Sequence, residues 1–215
     1  MEKKLSLVTL LVCSIHANFT IAENYKIAFG SCLDQENPQP IWNSIYKEDI
    51  DSFVFLGDNI YGDIPSGKLN KMREAYKLQA KMIPSWLFKK NVEMIWDDHD
   101  FGENDGGSSY PLKQEAQKLY LDFWEIPNDD IRQQRDGIYT NKIINIDNFI
   151  INLILLDTRY FRSDLKKTKG IKPVYLKNEE LNATILGDKQ WSWLMGVMKI
   201  KSDLTIVATS IQLLP

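Results

Sequence analysis

A thiol and several carboxylates in this sequence stand directly after apolar segments, where β-strands are predicted to end. They are Cys32 after Lys26–Phe29, Asp58 after Phe53–Leu56, Asp97 and Asp98 after Val92–Trp96, and Asp157 after Phe149–Leu156. In an open, mostly parallel sheet, residues just past the carboxyl ends of the strands converge on the crevice where ligands bind. Carboxylates gathered there repel one another, so one must take up a proton unless a cation is bound. Turn capping would explain any one of these acids but not their shared position, so we predict a cation site, balanced further by Arg159 or Arg162.

The densest cluster of such residues is the segment 96–107, Trp-Asp-Asp-His-Asp-Phe-Gly-Glu-Asn-Asp-Gly-Gly. Counted from Asp98, its fifth residue is Gly102 and its twelfth is Ser109, where an EF-hand loop needs an oxygen ligand and a glutamate. The segment is also too acidic for a phosphate-binding glycine loop, which relies on backbone N–H groups and basic neighbours. It can instead present oxygen ligands to a cation. A solitary histidine is usually structural, but this position favours a catalytic role for His99.

Tyr61 follows Asp58 by three residues and could share a site with Cys32. Packing in a turn is the alternative for this tyrosine. A thiolate, a phenolate and a carboxylate that meet at one point suit trivalent iron better than Mg²⁺, which prefers oxygen ligands and water. A zinc site of the usual histidine-rich kind cannot be built, because the sequence has two histidines and His16 lies in a segment predicted to be removed.

The first 22 residues have the order of a secretory signal peptide. A short basic region, 1–4, precedes an apolar run, Leu5–Ile15, that is too short to span a bilayer, and small residues precede a cleavage site after Ala22. A buried N-terminal helix is the alternative. We predict a signal peptide over 1–22, a domain over 23–215, a periplasmic or secreted location, and no membrane span after cleavage. Cleavage would leave Cys32 without a disulfide partner, so that its thiol is open to oxidation unless it is buried or bonded to a metal.

Composition and charge restrict the classes of function. The 215 residues are 44% hydrophobic and 26% charged, which is ordinary for one globular domain and excludes disordered and multi-span membrane proteins. The formal net charge is −3, and there is no basic stripe. A nucleic-acid-binding surface is therefore not expected, and nothing indicates an oligomeric state.

Strands and helices alternate along the chain, which is typical of an α/β fold. Strands are predicted over Lys26–Phe29, Phe53–Leu56, Val92–Trp96, Ile138–Ile146, Phe149–Leu156 and Thr205–Ser210, and helices over Pro40–Tyr46, Lys68–Met82, Leu112–Phe123 and Asp188–Lys199. The pair Asp147-Asn148 indicates a hairpin. The lysine-rich stretch Lys166–Lys172 is predicted to be a solvated loop.

With these residues in view, the chain resembles the PhoD-like alkaline phosphatases, a branch of the calcineurin-like metallophosphatases. Matching segments occur in the family's order over almost the whole stretch from Lys26 to Pro215. They are Phe29-Gly30-Ser31-Cys32, Phe55–Tyr61, Trp96–Asp100, Gly137-Ile138-Tyr139, Leu156–Tyr160 and Gln190–Leu194. Any one of them is weakly specific, whereas the first three at this spacing are a strong signal.

The resemblance implies an α/β fold of the metallophosphatase type, an αββα sandwich. It also implies secreted hydrolysis of phosphate mono- and diesters, with a small-molecule phosphate ester as the substrate. The implied cofactors are Fe³⁺ and Ca²⁺, with other divalent metals as alternatives.

The resemblance also implies roles for individual residues. By motif, Cys32 and Tyr61 would bind the iron, and Asp58 would bridge iron and calcium. Asp98 would hold calcium, and its neighbour Asp97 is counted with the metal ligands. The resemblance places His99 beside the leaving group. From the chemistry of the reaction we add Arg159 as a second catalytic candidate that contacts the phosphate, with an ion pair to Asp157 or another acid as the alternative.

Members of the family continue beyond the strand that ends near Pro215, and their later strands carry further metal ligands. We therefore expect a sandwich that is incomplete at its C-terminus. Two functions stay open: a metal-dependent phosphoesterase, and an inactive metal-binding remnant of one. A glycosidase that uses two carboxylates is a third and weaker alternative, since it leaves Cys32 and Tyr61 without a use.

Overall fold

The structure, a computed structural model, describes residues 24–64, 66, 68–170 and 174–212. The predicted signal peptide lies outside this part of the chain. Its strands and helices are β1 (Ile27–Gly30), α1 (Ile41–Lys47), β2 (Ser52–Leu56), α2 (Asn70–Met82), β3 (Asn91–Ile95), α3 (Asp98–Phe101), α4 (Lys113–Phe123), β4 (Thr140–Ile146), β5 (Phe149–Leu155), β6 (Lys166–Lys167), β7 (Tyr175–Leu176), α5 (Gly187–Val197) and β8 (Leu204–Ala208). Among these helices, none is long and apolar enough to cross a membrane.

Every strand and helix predicted from the sequence is present, with ends that differ by one or two residues. The C-terminus of α2 shows why the end of a helix can be predicted from neighbouring residues. Pro84 disfavours a helical conformation for the residue before it, and Ile83 is extended with ψ of 122°. The helix therefore ends at Met82.

The described part of the stretch Lys166–Lys172 differs from the prediction of a solvated loop, and residues 171 and 172 lie outside the described residues. Its first two residues form β6, which pairs in antiparallel fashion with β7. Lys166 and Lys167 are exposed, so their solvation is as expected. A strand of two residues is too short for a period-2 pattern to reveal it.

Strands β1, β2 and β3 form a parallel sheet with β2 in the centre. Phe53 and Phe55 of β2 pack against Trp42 of α1 and Trp124 after α4, with ring centroids 5.5 Å (Trp42–Phe53) and 4.8 Å (Phe55–Trp124) apart. Val54 lies on the opposite face and is also buried. A strand buried on both faces explains the continuous apolar run in the sequence.

Strands β4, β5 and β8 form a second, mixed sheet, in which β5 is antiparallel to β4 and parallel to β8. The β4–β5 turn places Asp147 at φ of +48°, a conformation that Asp adopts more readily than most residues. Along β5 the side chains alternate: Leu153 and Leu155 belong to the main core, whereas Ile154 packs against Leu194 of α5.

The layers are therefore helix, sheet, sheet, helix. Trp42, Tyr76 and Trp124 place α1, α2 and α4 on the outer face of the parallel sheet, and α5 covers part of the outer face of the mixed sheet. The predicted fold class, an α/β sandwich of the αββα type, is confirmed. Because β1, β2 and β3 are parallel, their carboxyl ends meet at one edge.

Candidate metal centre

The turn after β2 forms the base of the site. Gly57 has φ of +103°, and a Cβ there would lie 2.6 Å from the Cβ of Asp97, so this close approach needs glycine. Asp58 and Cys32 have φ of +52° and +58°, which costs a non-glycine residue about 1–2 kcal/mol. The N–H of Cys32 donates to the Gly57 carbonyl at 3.1 Å. The exits of β1 and β2 are thereby held side by side, with Sγ of Cys32 3.8 Å from Oδ2 of Asp58.

A buried carboxylate, Asp100, ties this turn to the start of α3. Its oxygens accept from the backbone N–H groups of Asp97 at 2.6 Å, Asn59 at 3.1 Å and Asp58 at 3.3 Å, and from Nδ2 of Asn59 at 2.6 Å. Burial, and then the charge of Asp58, raises the pKa of Asp100 well above its ordinary value. Sequence analysis gave Asp100 no role of its own, although the Asp97-x-x-Asp100 spacing matches a helix capping box and could have indicated one.

Five of the seven predicted site residues meet around Asp58, and we call them the Asp58 cluster: Cys32, Asp58, Tyr61, Asp98 and His99. Ligand atoms of Asp58, Asp98 and His99 all lie within 4.8 Å of one another. On its other side Asp58 approaches the Cys32 thiol. Asp58 is therefore shared by two donor groups, one with sulfur and one with oxygen and nitrogen.

Tyr61 joins the sulfur side of the cluster. Its side chain is hydrogen-bonded to Cys32, and its ring lies 4.4 Å from the ring of His99, centroid to centroid. Burial, followed by the charge of Asp58 and the bond to Cys32, raises the pKa of the Tyr61 hydroxyl above its ordinary value. The phenol therefore stays protonated at neutral pH unless a positive charge is placed beside it.

The carboxylates in and beside the cluster repel one another. Burial, and then the charge of Asp97, raises the pKa of Asp58 to about 6, although His99 opposes this. For His99, burial lowers the pKa but is outweighed by the hydrogen bond with Asp63 and by the surrounding carboxylates, so the pKa is raised. A cation would relieve this repulsion, as the sequence led us to expect.

Asp63 is a member of the site that sequence analysis missed. Its Oδ1 lies 2.6 Å from Nδ1 of His99. A carboxylate only accepts, so this contact places a hydrogen on Nδ1 and leaves Nε2 of His99 for other partners. In the sequence, Asp63 is visible only as an acid two residues after Tyr61. No local pattern indicates that it contacts His99, which lies 36 positions later.

Asp97 and Arg159, the other two predicted site residues, bind each other beside the cluster. Oδ1 of Asp97 accepts from Nε and Nη2 of Arg159, each at 2.6 Å, and from Oγ of Ser210 at 2.7 Å. Nη2 of Arg159 is also 3.7 Å from Oδ1 of Asp98. The Asp97 carboxylate thus balances a guanidinium, and the ion-pair alternative for Arg159 is realised with this acid.

Asp157 has a different environment from the other acids that follow strands. It is fully buried, and its carboxylate accepts from Nε1 of Trp96 and from the backbone N–H groups of Ile138, Arg159 and Tyr160, each at 2.9 Å. Four donors satisfy this carboxylate without a cation. Asp157 is therefore not part of the Asp58 cluster, and the expectation that all strand-end acids share one site is wrong for it.

An open cleft of about 1000 Å³ adjoins the cluster. Cys32, Asp97 and Arg159 lie on its lining, so the cleft reaches both the sulfur side of the cluster and the guanidinium. A cleft of this size accommodates a small molecule beside the Asp58 cluster.

Comparisons with known proteins bear on the fold. A solved structure described as the structure of PhoD matches with a TM-score of 0.60 and 22% sequence identity, and the match covers 86% of this chain. It covers 42% of the PhoD chain, so this chain spans less than half the length of that protein. No protein-family model matches, and neither does any curated protein. The likeness confirms a PhoD-like fold, in agreement with the resemblance read from the sequence.

Proposed function

We propose that this chain carries the metal-binding and proton-donating residues of a metal-dependent phosphoesterase that hydrolyses phosphate mono- and diesters. One observation carries the proposal: two donor groups of different chemistry meet at Asp58, at the carboxyl ends of β1, β2 and β3, on a fold like that of PhoD. Because the chain spans 42% of the PhoD chain, the activity of a whole enzyme is part of the proposal.

The residues of the Asp58 cluster fit two different cations. A thiolate at Cys32 and a phenolate at Tyr61 suit Fe³⁺, and the raised pKa of Tyr61 means that a strongly attracting cation is needed to hold it as the phenolate. The carboxylates of Asp58 and Asp98 suit Ca²⁺, with other divalent ions as alternatives. Ca²⁺ takes six to eight oxygens, so these side chains supply part of its shell.

The residues of the chain have distinct tasks in this chemistry. Bound cations would polarise the phosphoryl group and offset its developing charge. Nε2 of His99 would donate a proton to the departing alkoxide oxygen, while Asp63 holds the proton on Nδ1. The Arg159 guanidinium, held by Asp97 on the wall of the cleft, would bind a phosphate oxygen.

The proposal is tested with the chain reconstituted with Fe³⁺ and Ca²⁺ and assayed on a chromogenic phosphodiester at alkaline pH. We expect hydrolysis that a calcium chelator abolishes and added Ca²⁺ restores. An Asp129→Asn variant, which changes an exposed acid outside the cluster, is the matched control and should retain activity. Activity that is indifferent to chelation would contradict the metal centre.

A second candidate is a metal-binding chain without turnover. Within the described part of the chain, the oxygen side of the cluster offers Asp58, Asp98 and His99, fewer than the six to eight ligands of Ca²⁺, and this favours the second candidate. Iron binding is followed by colour, because a phenolate bound to Fe³⁺ gives a visible charge-transfer band. Tyr61→Phe should bleach that band while preserving the ring contact with His99, and Cys32→Ser should shift or weaken it. A coloured chain that turns over no phosphoester would favour this second candidate.

Export is a separate part of the proposal. The basic, apolar and small-residue order of positions 1–22 supports a periplasmic or secreted product. Cell fractionation and N-terminal sequencing of the product test it, and an N-terminus at Met1 in the cytoplasm would contradict it.

A further inference from the structure

The cleft beside the Asp58 cluster has an apolar wall that the proposed chemistry does not use. Side chains with large exposed apolar surfaces line it: Leu165 (40% exposed), Ile185 (46%) and Trp191 (48%). Cys32 and Arg159 line the same cleft. Ligand-binding clefts typically combine such apolar walls with a few polar groups that fix orientation.

Hydrogen bonds connect the helix that carries Trp191 with the segment that carries Arg159. The fully buried Gln190 accepts from the N–H of Asp157 at 2.9 Å and donates to the carbonyl of Asp157 at 2.8 Å. The Asp157 carboxylate in turn accepts from the N–H of Arg159 at 2.9 Å. Trp191 is the next residue after Gln190 in α5, so these hydrogen bonds connect the backbone of α5 at Trp191 with the segment that carries Arg159, and both residues line the cleft.

Polar groups on the apolar side of the cleft are already bonded to the protein. Oγ of Ser163 accepts from the N–H of Thr184, whose own Oγ1 accepts from Gly187. Asn178 accepts from the N–H of Glu180 with Oδ1 and donates from Nδ2 to the carbonyl of Asp164. These bonds hold the oxygens of Ser163, Thr184 and Asn178 against the protein, so the apolar side chains of Ile185 and Trp191 are the main surface that this side of the cleft offers to a ligand.

We propose that Trp191 and Ile185 form a subsite for an aromatic group, and that the preferred substrates are phosphodiesters with an aryl group on the ester arm that is not cleaved. The planar indole offers an offset or edge-on contact to an aromatic ring. The part of this inference that concerns turnover rests on the proposed phosphoesterase function of the Asp58 cluster, whereas the part that concerns binding does not require hydrolysis.

The kinetic test compares two esters with the same leaving group, phenyl 4-nitrophenyl phosphate and methyl 4-nitrophenyl phosphate. Aromatic contact together with burial predicts a kcat/KM about tenfold higher for the phenyl ester. Trp191→Ala should bring the ratio close to one, mainly through KM, and Trp191→Phe should retain most of it. Met195→Ala is the matched control, because Met195 is an exposed apolar residue of α5 outside the lining of the cleft, and it should leave the ratio unchanged.

A binding measurement separates this inference from the proposed function. Calorimetric titration of the metal-reconstituted chain should show phenylphosphonate binding about tenfold more tightly than methylphosphonate, with Trp191→Ala removing the difference. That result without any hydrolysis would support the subsite and contradict the phosphoesterase. Hydrolysis of both esters with an equal kcat/KM, or a ratio unchanged in Trp191→Ala, would overturn the subsite and leave the phosphoesterase in place. Binding of neither phosphonate, or a stronger preference for an octyl than for a phenyl arm, would also overturn it.

Discussion

Asp58 and Asp157 both follow a buried strand, yet the structure uses them in opposite ways. Asp157 is fully buried and accepts four hydrogen bonds from the protein. Asp58 is partly buried, faces Asp97 and Asp98, and has its pKa raised to about 6. The carboxylate of Asp157 is hydrogen-bonded by protein donors, whereas that of Asp58 has room for a ligand.

The difference lies in the number of donors around each carboxylate. The four N–H donors around Asp157 favour its charged form and offset part of the cost of burial, which still raises the pKa of this carboxyl. Asp58 instead lies in a left-handed turn beside like charges, an arrangement that costs stability and is typical of functional sites. Substitutions in the two regions should therefore separate loss of activity from loss of stability.

The largest effect is expected from His99→Ala in the Asp58 cluster. If His99 protonates the leaving group, turnover should fall by roughly 10²–10⁴ while metal content is kept. Because the His99 side chain is partly exposed, the free energy of unfolding should change by no more than about 1 kcal/mol. Turnover and metal content, measured on the same preparation, check this. A parallel fall in both would make His99 a metal ligand.

Asp157→Asn should have the next largest effect, and on stability. In the variant, an NH₂ group replaces one of the two carboxylate oxygens and faces an N–H donor, from which it cannot accept. We therefore expect a loss of about 3 kcal/mol in the free energy of unfolding. Urea denaturation measures it, with Asp129→Asn as the control for loss of an exposed charge. A loss below about 1 kcal/mol would show that Asp157 contributes no more to stability than an ordinary surface acid.

Asp63→Asn should have an intermediate effect, on turnover and on its pH dependence. The amide can still accept from Nδ1 of His99 but no longer favours its positive charge, so we expect turnover to fall about tenfold. The pH at which activity falls should also move, because the His99 pKa is lowered when the carboxylate is removed. A pH profile identical to that of the unsubstituted chain would exclude a positioning role for Asp63.

The smallest effect is a pH dependence of stability in the metal-free chain. The pKa of Asp58 is raised to about 6 in the folded state, so its carboxyl binds a proton more tightly there than in the unfolded chain. The raised pKa of His99 acts in the same direction. The contribution of both groups to stability should therefore increase as pH falls from 7 towards 5.

Thermal unfolding of the unsubstituted chain and of Asp58→Asn at pH 7 and pH 5 checks this pH dependence. The midpoint should rise towards pH 5 in the unsubstituted chain and change less in the variant. Equal pH dependence in the two proteins would contradict the assignment to Asp58.

Much of the fold could be read from local pattern alone. Runs such as Phe53–Leu56 are apolar at every position, and the two faces of β2 are indeed both covered. The hairpin at Asp147 and the end of α2 before Pro84 also depend on residues a few positions apart. The four-residue helix α3 and the two-residue strands β6 and β7 could not be found this way, since they are shorter than any period.

The sequence by itself determined which residue types stand at the carboxyl ends of the parallel strands, and so brought Cys32, Asp58 and the pair Asp97–Asp98 to one edge. Only the tertiary structure decided which partner each would have. Asp97 meets Arg159 across 62 positions, and His99 meets Asp63 across 36. The neighbours Asp97 and Asp98 were thus divided between an ion pair with Arg159 and the Asp58 cluster. The physical reason is that hydrogen bonds and charge pairs depend on distances between atoms, which only the packing of the two sheets and their helices fixes.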